Sequence, residues 1–247
     1  QYATLNIGDV DIDRLRSMIE SLGVPFEFDI VGFCAQDHGV APEGVSHLDF
    51  RHNLFKSLLD QGPSPHSLLY RSDEIPETFN RLRAVARSAH EMPTDEVYVM
   101  DSGMAAILGA SMDEQVRHKD RVMIVDVATS HTVGATMEGH EIAGFFEYHT
   151  HDITPDRLEI LLIDLADGKL DHDRILDEGG HGAYTRKSFG FKNTDIILAT
   201  GPKRGMIRHS KLPFVFGSPL GDNMMTGTVG VLEAIRRRKG FDTIAYI

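Results

Sequence analysis

The sequence predicts an α/β fold, a mixed sheet flanked by helices, and three observations carry that reading. The runs VYVM, RVMIVDV, HTVGATME and HEIAGFFEYH, between Val97 and His149, are short, apolar and rich in β-branched or aromatic residues, as strands are. Helical spacing follows them: Thr154 and Pro155 stand before Leu158, Leu161, Leu162 and Leu165 as a cap and a first-turn proline. A later strand, DIILAT, returns after these helices, and strands that alternate with helices define the class.

In chain order, Asp11 and Asp13 cap a helix whose Leu15, Met18, Ile19 and Leu22 recur at helical spacing up to Gly23. FEFDIVGFCA reads as a buried strand that stops at the polar word QDHG. His47 to Asp60 and Pro76 to His90 read as helices separated by the loop QGPSPHS. Pro93 marks the expected division into residues 1–94 and 95–247. VYVM then leads into SGMAAILGA, a helix of small residues, and Glu138-Gly139 turns a tight hairpin between the next strands. A short helix from Leu170, the glycine-rich GGHGAY, and the bend GPKRG after DIILAT follow. The last long helix runs from about Asn223 to Arg238, and the basic run Arg236 to Lys239 suits the negative end of its dipole.

Twenty-five basic residues face 37 acidic ones, a net charge of −12. Such a surface repels phosphate backbones, so nucleic acid is not expected as a partner. A nucleotide remains compatible, because backbone amides and a metal ion can hold it locally. Cys34 is the single cysteine, which excludes an internal disulfide and makes a reducing, cytoplasmic setting the expectation. No apolar run approaches the roughly 20 residues that span a bilayer, so no membrane partner is expected. The opening QYATLNIGDV lacks both a signal-peptide layout and an initiator Met, and reads as a cut edge of a longer chain.

Several segments carry a resemblance. VYVMDSGMAAILGA looks like the strand and helix that precede the second phosphate loop in heat-shock chaperones and sugar kinases. RVMIVDVATSHTVGATMEG is similar to the strand–turn–strand that cradles phosphate in those proteins. DIILATGPKRGMIR, with SPLGDNMMTGTVGVLEAI, resembles their adenosine-binding strand, turn and terminal helix. VGFCAQDHG sits where sugar kinases carry a strand ending in Gln-X-His-Gly. Together these segments, from about Phe26 to the end, resemble the actin-like ATPase superfamily of ribonuclease H-like domains. The words QDHG, FFEYHTHD, GGHGAY and ATGPKR also resemble a prokaryotic family labelled as pyruvate formate-lyase activating enzymes. An activase of that name needs three closely spaced thiolates for its iron–sulfur cluster. Cys34 alone cannot supply them, so no iron–sulfur cluster is expected here. The superfamily's amino-terminal Asp-X-Gly phosphate hairpin has no counterpart in this sequence, and its first lobe is expected to be incomplete.

The resemblance implies Mg²⁺ and ATP as cofactors. Asp126, at a strand end, would hold Mg²⁺ through water. Ala128, Thr129, Ser130, His131 and Thr132 would turn their amides towards phosphate, where the superfamily has consecutive glycines. Thr200, Gly201, Lys203 and Arg204 would take the adenosine end. Asp101 or His38 would face a small-molecule acceptor as the base, although Asp101 reads equally well as the cap of SGMAAILGA. The expected activity is ATP-dependent phosphotransfer or hydrolysis. Two alternatives stand beside it: a binding or regulatory module without turnover, and a metal-dependent hydrolase.

The second alternative rests on 13 histidines, several in glycine-flanked polar words. His149 and His151 alternate along an extended segment and so point to one side. With Asp152, and with His38 or His181, they form a candidate metal site. GGHGAY, with the Tyr184 hydroxyl, is expected to line the nucleotide cleft or an acceptor pocket, or simply to stop the helix before it. A lobe with an exposed apolar face would self-associate as a homo-oligomer. The nucleotide reading requires the bends after Val127 and after Ala199 to open onto one cleft from neighbouring strands.

Overall fold

A computed structural model describes residues 9–244; part of the amino-terminal QYATLNIGDV, residues 1–8, lies outside the described residues. The chain is mixed α/β, with two sheets. The smaller contains β1 (Phe28–Ala35), β3 (Thr94–Asp101) and β2 (Leu69–Arg71) in the order β1-β3-β2. The β1/β3 pair is parallel and β2/β3 antiparallel. The larger contains β4 (Arg121–Val127), β5 (His131–Glu138), β6 (Glu141–His149), β7 (Ala183–Thr185), β8 (Ile196–Thr200) and β9 (Phe214–Phe216). Its order is β7-β6-β5-β4-β8-β9. Strands β4 to β7 pair antiparallel, whereas β4/β8 and β8/β9 are parallel. The division at residues 94/95 falls at the first residue of β3, the strand that pairs with β1.

Helix α1 (Ile12–Ser21) starts on Asp11, whose carboxylate accepts from the Arg14 amide at 3.1 Å. Its apolar residues are only half-buried or exposed, Leu22 at 79%. Helix α2 (His47–Gln61) buries Arg51, Phe55 and Leu59. Helix α3 (Asn80–Ala89) begins four residues later than the spacing suggests. The Asp37 carboxylate accepts the Leu82 amide at 2.9 Å and so sets the helix start from far upstream. Asp37 of QDHG is thereby a structural cap.

Helix α4 (Ser102–Ala110) follows β3 directly, α5 (Pro155–Asp167) starts under the Thr154 cap, and α6 (His172–Asp177) starts on Asp171. Helix α7 (Thr226–Lys239) crosses α4 with the two backbones in contact at Gly109 and Gly230. A β-carbon on Gly109 would lie 1.8 Å from the Thr226 carbonyl oxygen, and one on Gly230 1.8 Å from that of Ala105.

Strand β4 shows why its sequence is apolar throughout. Val122 and Ile124 belong to one core with β3, α2, α3, α4 and α7. Met123, Val125 and Val127 belong to a second core with α5, α6 and β8. Both faces of the larger sheet are covered, so alternate residues are equally buried. Asp126 shares the face of Val122 and Ile124. A register shift between Thr136 and Met137 bulges β6, and beyond it His131 pairs with His149 and Val133 with Glu147. No helix among the described residues is long and apolar enough to cross a membrane.

Candidate functional site

The two bends lie side by side at the ends of neighbouring strands, although the cavity beside the first is lined by no residue of the second. Asp126 and Thr200 are register partners in the parallel β4/β8 pair, so the chain leaves both strands side by side. Gly201, at φ +92°, lets them touch: a β-carbon there would lie 2.5 Å from the Val127 carbonyl oxygen and 2.6 Å from Asp126 Oδ1. The Lys203 amide donates to the Val127 carbonyl at 2.9 Å, and Lys203 Nζ reaches across to the Thr129 carbonyl at 2.9 Å.

Asp126 is 8% exposed and makes no side-chain hydrogen bond among the described residues. Burial alone pushes its carboxyl up to about 6. In the turn above it, the Ala128 amide donates to the His131 carbonyl at 3.1 Å. Thr150 fastens the same turn through its amide on the Ser130 carbonyl (2.8 Å) and its hydroxyl on the Ala128 carbonyl (2.9 Å). The buried Thr132 hydroxyl pairs with that of Thr150 at 3.0 Å. Ala128 and Thr132 therefore shape the turn. The Thr129 and Ser130 amides have no partner among the described residues.

The second bend is tied to the start of α7. Thr200 Oγ1 lies 2.6 Å from Thr226 Oγ1, and the Asn223 amide group donates to the Gly201 carbonyl at 3.1 Å. Thr200 is fully buried and turned towards α7. Arg204 donates to the Gly217 carbonyl and lies over the Phe216 ring at 5.5 Å. A cavity of about 400 Å³ is lined by Ser130, His131, Ser102 at the start of α4, and Gln36.

Asp101 ends β3 and caps α4: its Oδ1 accepts from the Gly103 and Met104 amides at 2.9 and 3.1 Å. Its Oδ2 is buried without a hydrogen bond, 3.5 Å from Arg51 Nη2. Burial pushes Asp101 up to about 6, against the attraction of Arg51. The same guanidinium binds Glu147 at 2.6 Å, and Gln36 also donates to Glu147. Burial would raise Glu147, but Arg51, then His181 and His131, outweigh it and hold the group down at about 2. Charge at this centre is thus divided unequally between two carboxylates sharing one arginine.

Around Glu147 stand four imidazoles. His131 and His149 pair across β5 and β6, with ring centroids 4.7 Å apart. His181 enters from the loop after α6, its amide donating to the Glu147 carbonyl at 2.8 Å. His181 Nε2 lies 3.1 Å from His149 Nε2, and its Nδ1 lies 3.7 Å from Glu147 Oε1. One ring nitrogen from each of His131, His149 and His181 falls within 4.8 Å of the others. The His38 ring is 5.3 Å from that of His181, and burial with the nearby Arg51 charge pushes His38 down to about 4. Burial likewise lowers His131 and His149.

His151 and Asp152 give no ligand atom to this group, although the His151 ring lies 5.4 Å from that of His149. Strand β6 ends at His149, and the Asp152 amide turns back to its carbonyl at 3.1 Å, which breaks the expected alternation. The His151 side chain is 74% exposed and pairs with Asp152 at 3.2 Å. Tyr184 is buried, with its hydroxyl on Asp60 at 2.7 Å, and gives nothing to the cleft. Arg51 and Glu147 were missed by sequence reasoning. Arg51 sits on the apolar face of α2 with Phe55 and Leu59, and Glu147 interrupts an apolar strand; both positions signal a buried charge that needs a partner.

A protein-family profile described as "Putative pyruvate format-lyase activating enzyme (DUF1786)" matches residues 1–206. No curated protein matches the chain. Among solved structures, MreB5 of Spiroplasma citri bound to ADP is similar at 11% identity and TM-score 0.39, over 92% of this chain and 76% of that one. The apo psk41 ParM protein is similar at 12% identity and TM-score 0.33, over 93% and 72%. An Alp12 filament structure is similar at 10% identity and TM-score 0.32. There the match takes in 60% of this chain and spans 55% of the length of that one. The family label is the one that the words QDHG, FFEYHTHD, GGHGAY and ATGPKR resemble in the sequence.

Proposed function

This chain belongs to the DUF1786 family, and we propose that it binds a nucleoside triphosphate with Mg²⁺ at the paired bends and transfers or hydrolyses the terminal phosphate. One observation carries the reading: the Asp126 carboxylate is buried and unpartnered where the two bends touch. That carboxylate has no hydrogen-bond partner among the described residues and is not sealed from solvent, which leaves it open to a hydrated Mg²⁺. The Thr129 and Ser130 amides, without partners among the described residues, and Lys203, whose ammonium lies on the same turn, supply the anion's side. Mg²⁺ would neutralise phosphate charge, the chemistry most phosphoryl transfer relies on. Lys203 fits a phosphate better than an adenosine, because it reaches back to the first bend. His38, whose ring stands beside that of His181, is the group proposed to face an acceptor hydroxyl, and Asp101 is assigned to capping α4. Radical activation is not proposed, since this chain carries one thiol, Cys34, which burial pushes up to about 11.

Calorimetric titration with Mg-ATP tests the reading. Saturable binding that Asp126→Ala abolishes supports it, and equal binding by both proteins ends it. Phosphate release measured on the same samples separates turnover from a module that only binds.

A further inference from the structure

His131, His149 and His181 are arranged as ligands are, and nothing in the nucleotide reading uses them together. His149 Nε2 and His181 Nε2 are 3.1 Å apart. Two imidazole nitrogens bound tetrahedrally at about 2.05 Å lie about 3.3 Å from each other, so this pair already has the spacing of a shared ion. A single shared proton would also join that pair, but it leaves the third ring unexplained. His131 Nε2 is buried and has no hydrogen-bond partner. Unpaired buried nitrogens of this kind are uncommon in folded proteins and call for an ion or a water.

Behind the cluster stands a carboxylate placed to support it. Glu147 Oε1 lies 3.7 Å from His181 Nδ1, beyond hydrogen-bond distance and with that nitrogen otherwise unpaired among the described residues, and Arg51 and Gln36 fix Glu147 in turn. A carboxylate behind a ligating imidazole sets its tautomer and its direction. His131 also lines the 400 Å³ cavity with Ser130 and Gln36.

We propose that His131, His149 and His181 bind one divalent transition cation of the zinc class, with Glu147 orienting His181 and a fourth position open to the cavity. Three neutral nitrogen ligands suit Zn²⁺ and Co²⁺ far better than Mg²⁺, which takes oxygen ligands. The ion is therefore separate from the Mg²⁺ proposed at Asp126. Three protein ligands with one open position is the arrangement of a reactive site, whereas structural zinc is closed by four.

The test uses tag-free protein stripped with chelator and titrated with Co²⁺, then Zn²⁺, with no nucleotide present. It therefore succeeds or fails independently of the nucleotide reading. The expected result is visible ligand-field absorption that saturates at one equivalent of Co²⁺ and is bleached by one equivalent of Zn²⁺. His131→Ala and His181→Ala should each weaken binding by about 100-fold or more, and Glu147→Gln by about 10- to 100-fold. His151→Ala should bind as the unaltered chain does. Circular dichroism and thermal unfolding of each apo variant identify any that fails to fold. Zn²⁺ should raise the melting temperature of the unaltered chain, and this rise should vanish in folded His variants. Absence of saturable one-equivalent binding by the unaltered chain overturns the proposal. So does undiminished binding by folded His131→Ala and His181→Ala, or an equal loss in His151→Ala.

Discussion

Gly201 packs against Asp126 so closely that a β-carbon at residue 201 would stand 2.6 Å from the carboxylate oxygen. The contact joins residues distant in sequence, and it defines the part of the molecule where phosphate is proposed to bind.

Gly201→Ala should therefore damage both stability and binding. The new methyl meets Val127 and Asp126, and φ +92° is a conformation alanine avoids. A loss of about 2–4 kcal/mol is expected, read by denaturant unfolding. Mg-ATP affinity should fall by more than about tenfold, roughly 1.4 kcal/mol, in calorimetry.

Asp126→Asn should show the opposite pairing, a more stable protein that binds less. The folded pKa of Asp126 is raised from 3.8 to about 6. The stability it contributes is full below the unfolded value and is lost as pH rises through about 6. At pH 8 the asparagine variant should be more stable by about 3 kcal/mol, and near pH 4 the two proteins should unfold alike. Mg-ATP should raise the melting temperature of the unaltered chain at pH 8 and leave the variant unmoved.

Arg51→Met strands Asp101 and Glu147 without their cation. Breaking a buried pair in this way costs about 3–5 kcal/mol near neutral pH. The folded pKa of Glu147 is depressed from 4.5 to about 2, so its contribution is present above about 4.5 and lost as pH falls towards 2. Asp101, raised to about 6, is already neutral in that range. The stability gap between variant and unaltered chain should thus narrow from pH 5 to pH 2. A gap that does not change with pH would refute the charge argument.

Gly230→Ala tests the α4–α7 crossing. Its methyl would meet the Ala105 carbonyl at 1.8 Å and must push the helices apart, at a cost of about 3 kcal/mol or more. Gly227→Ala, whose nearest neighbour is Cys34 Sγ at 3.5 Å, should be close to neutral. Thermal unfolding of the pair distinguishes a tight backbone crossing from general sensitivity of α7.

Long elements were legible because their signals are local. RVMIVDV and HTVGATME became strands with the expected bounds, and Thr154-Pro155 opened α5. Strands β2, β7 and β9 have three residues each, too few for a period to show, and they exist only through their neighbours' unpaired edges. The start of α3 was hidden because Asp37, 45 residues before Leu82, supplies its cap. In the site, adjacency of the two bends followed from reading β4 and β8 as neighbours. His131 was read only as part of the phosphate turn, because its pairing depends on a bulge that the sequence does not announce.

That bulge decides which side chains become neighbours. Counted back from the hairpin turn as an unbroken ladder, His131 would sit opposite Tyr148, and His149 would face away. The one additional residue in β6 shifts the tally so that two imidazoles meet, with Glu147 on the same side. Deleting a residue such as Ala143 would leave composition and hydrophobicity nearly as they are, yet it would exchange the inner and outer sides of the strand's far half and scatter the three rings.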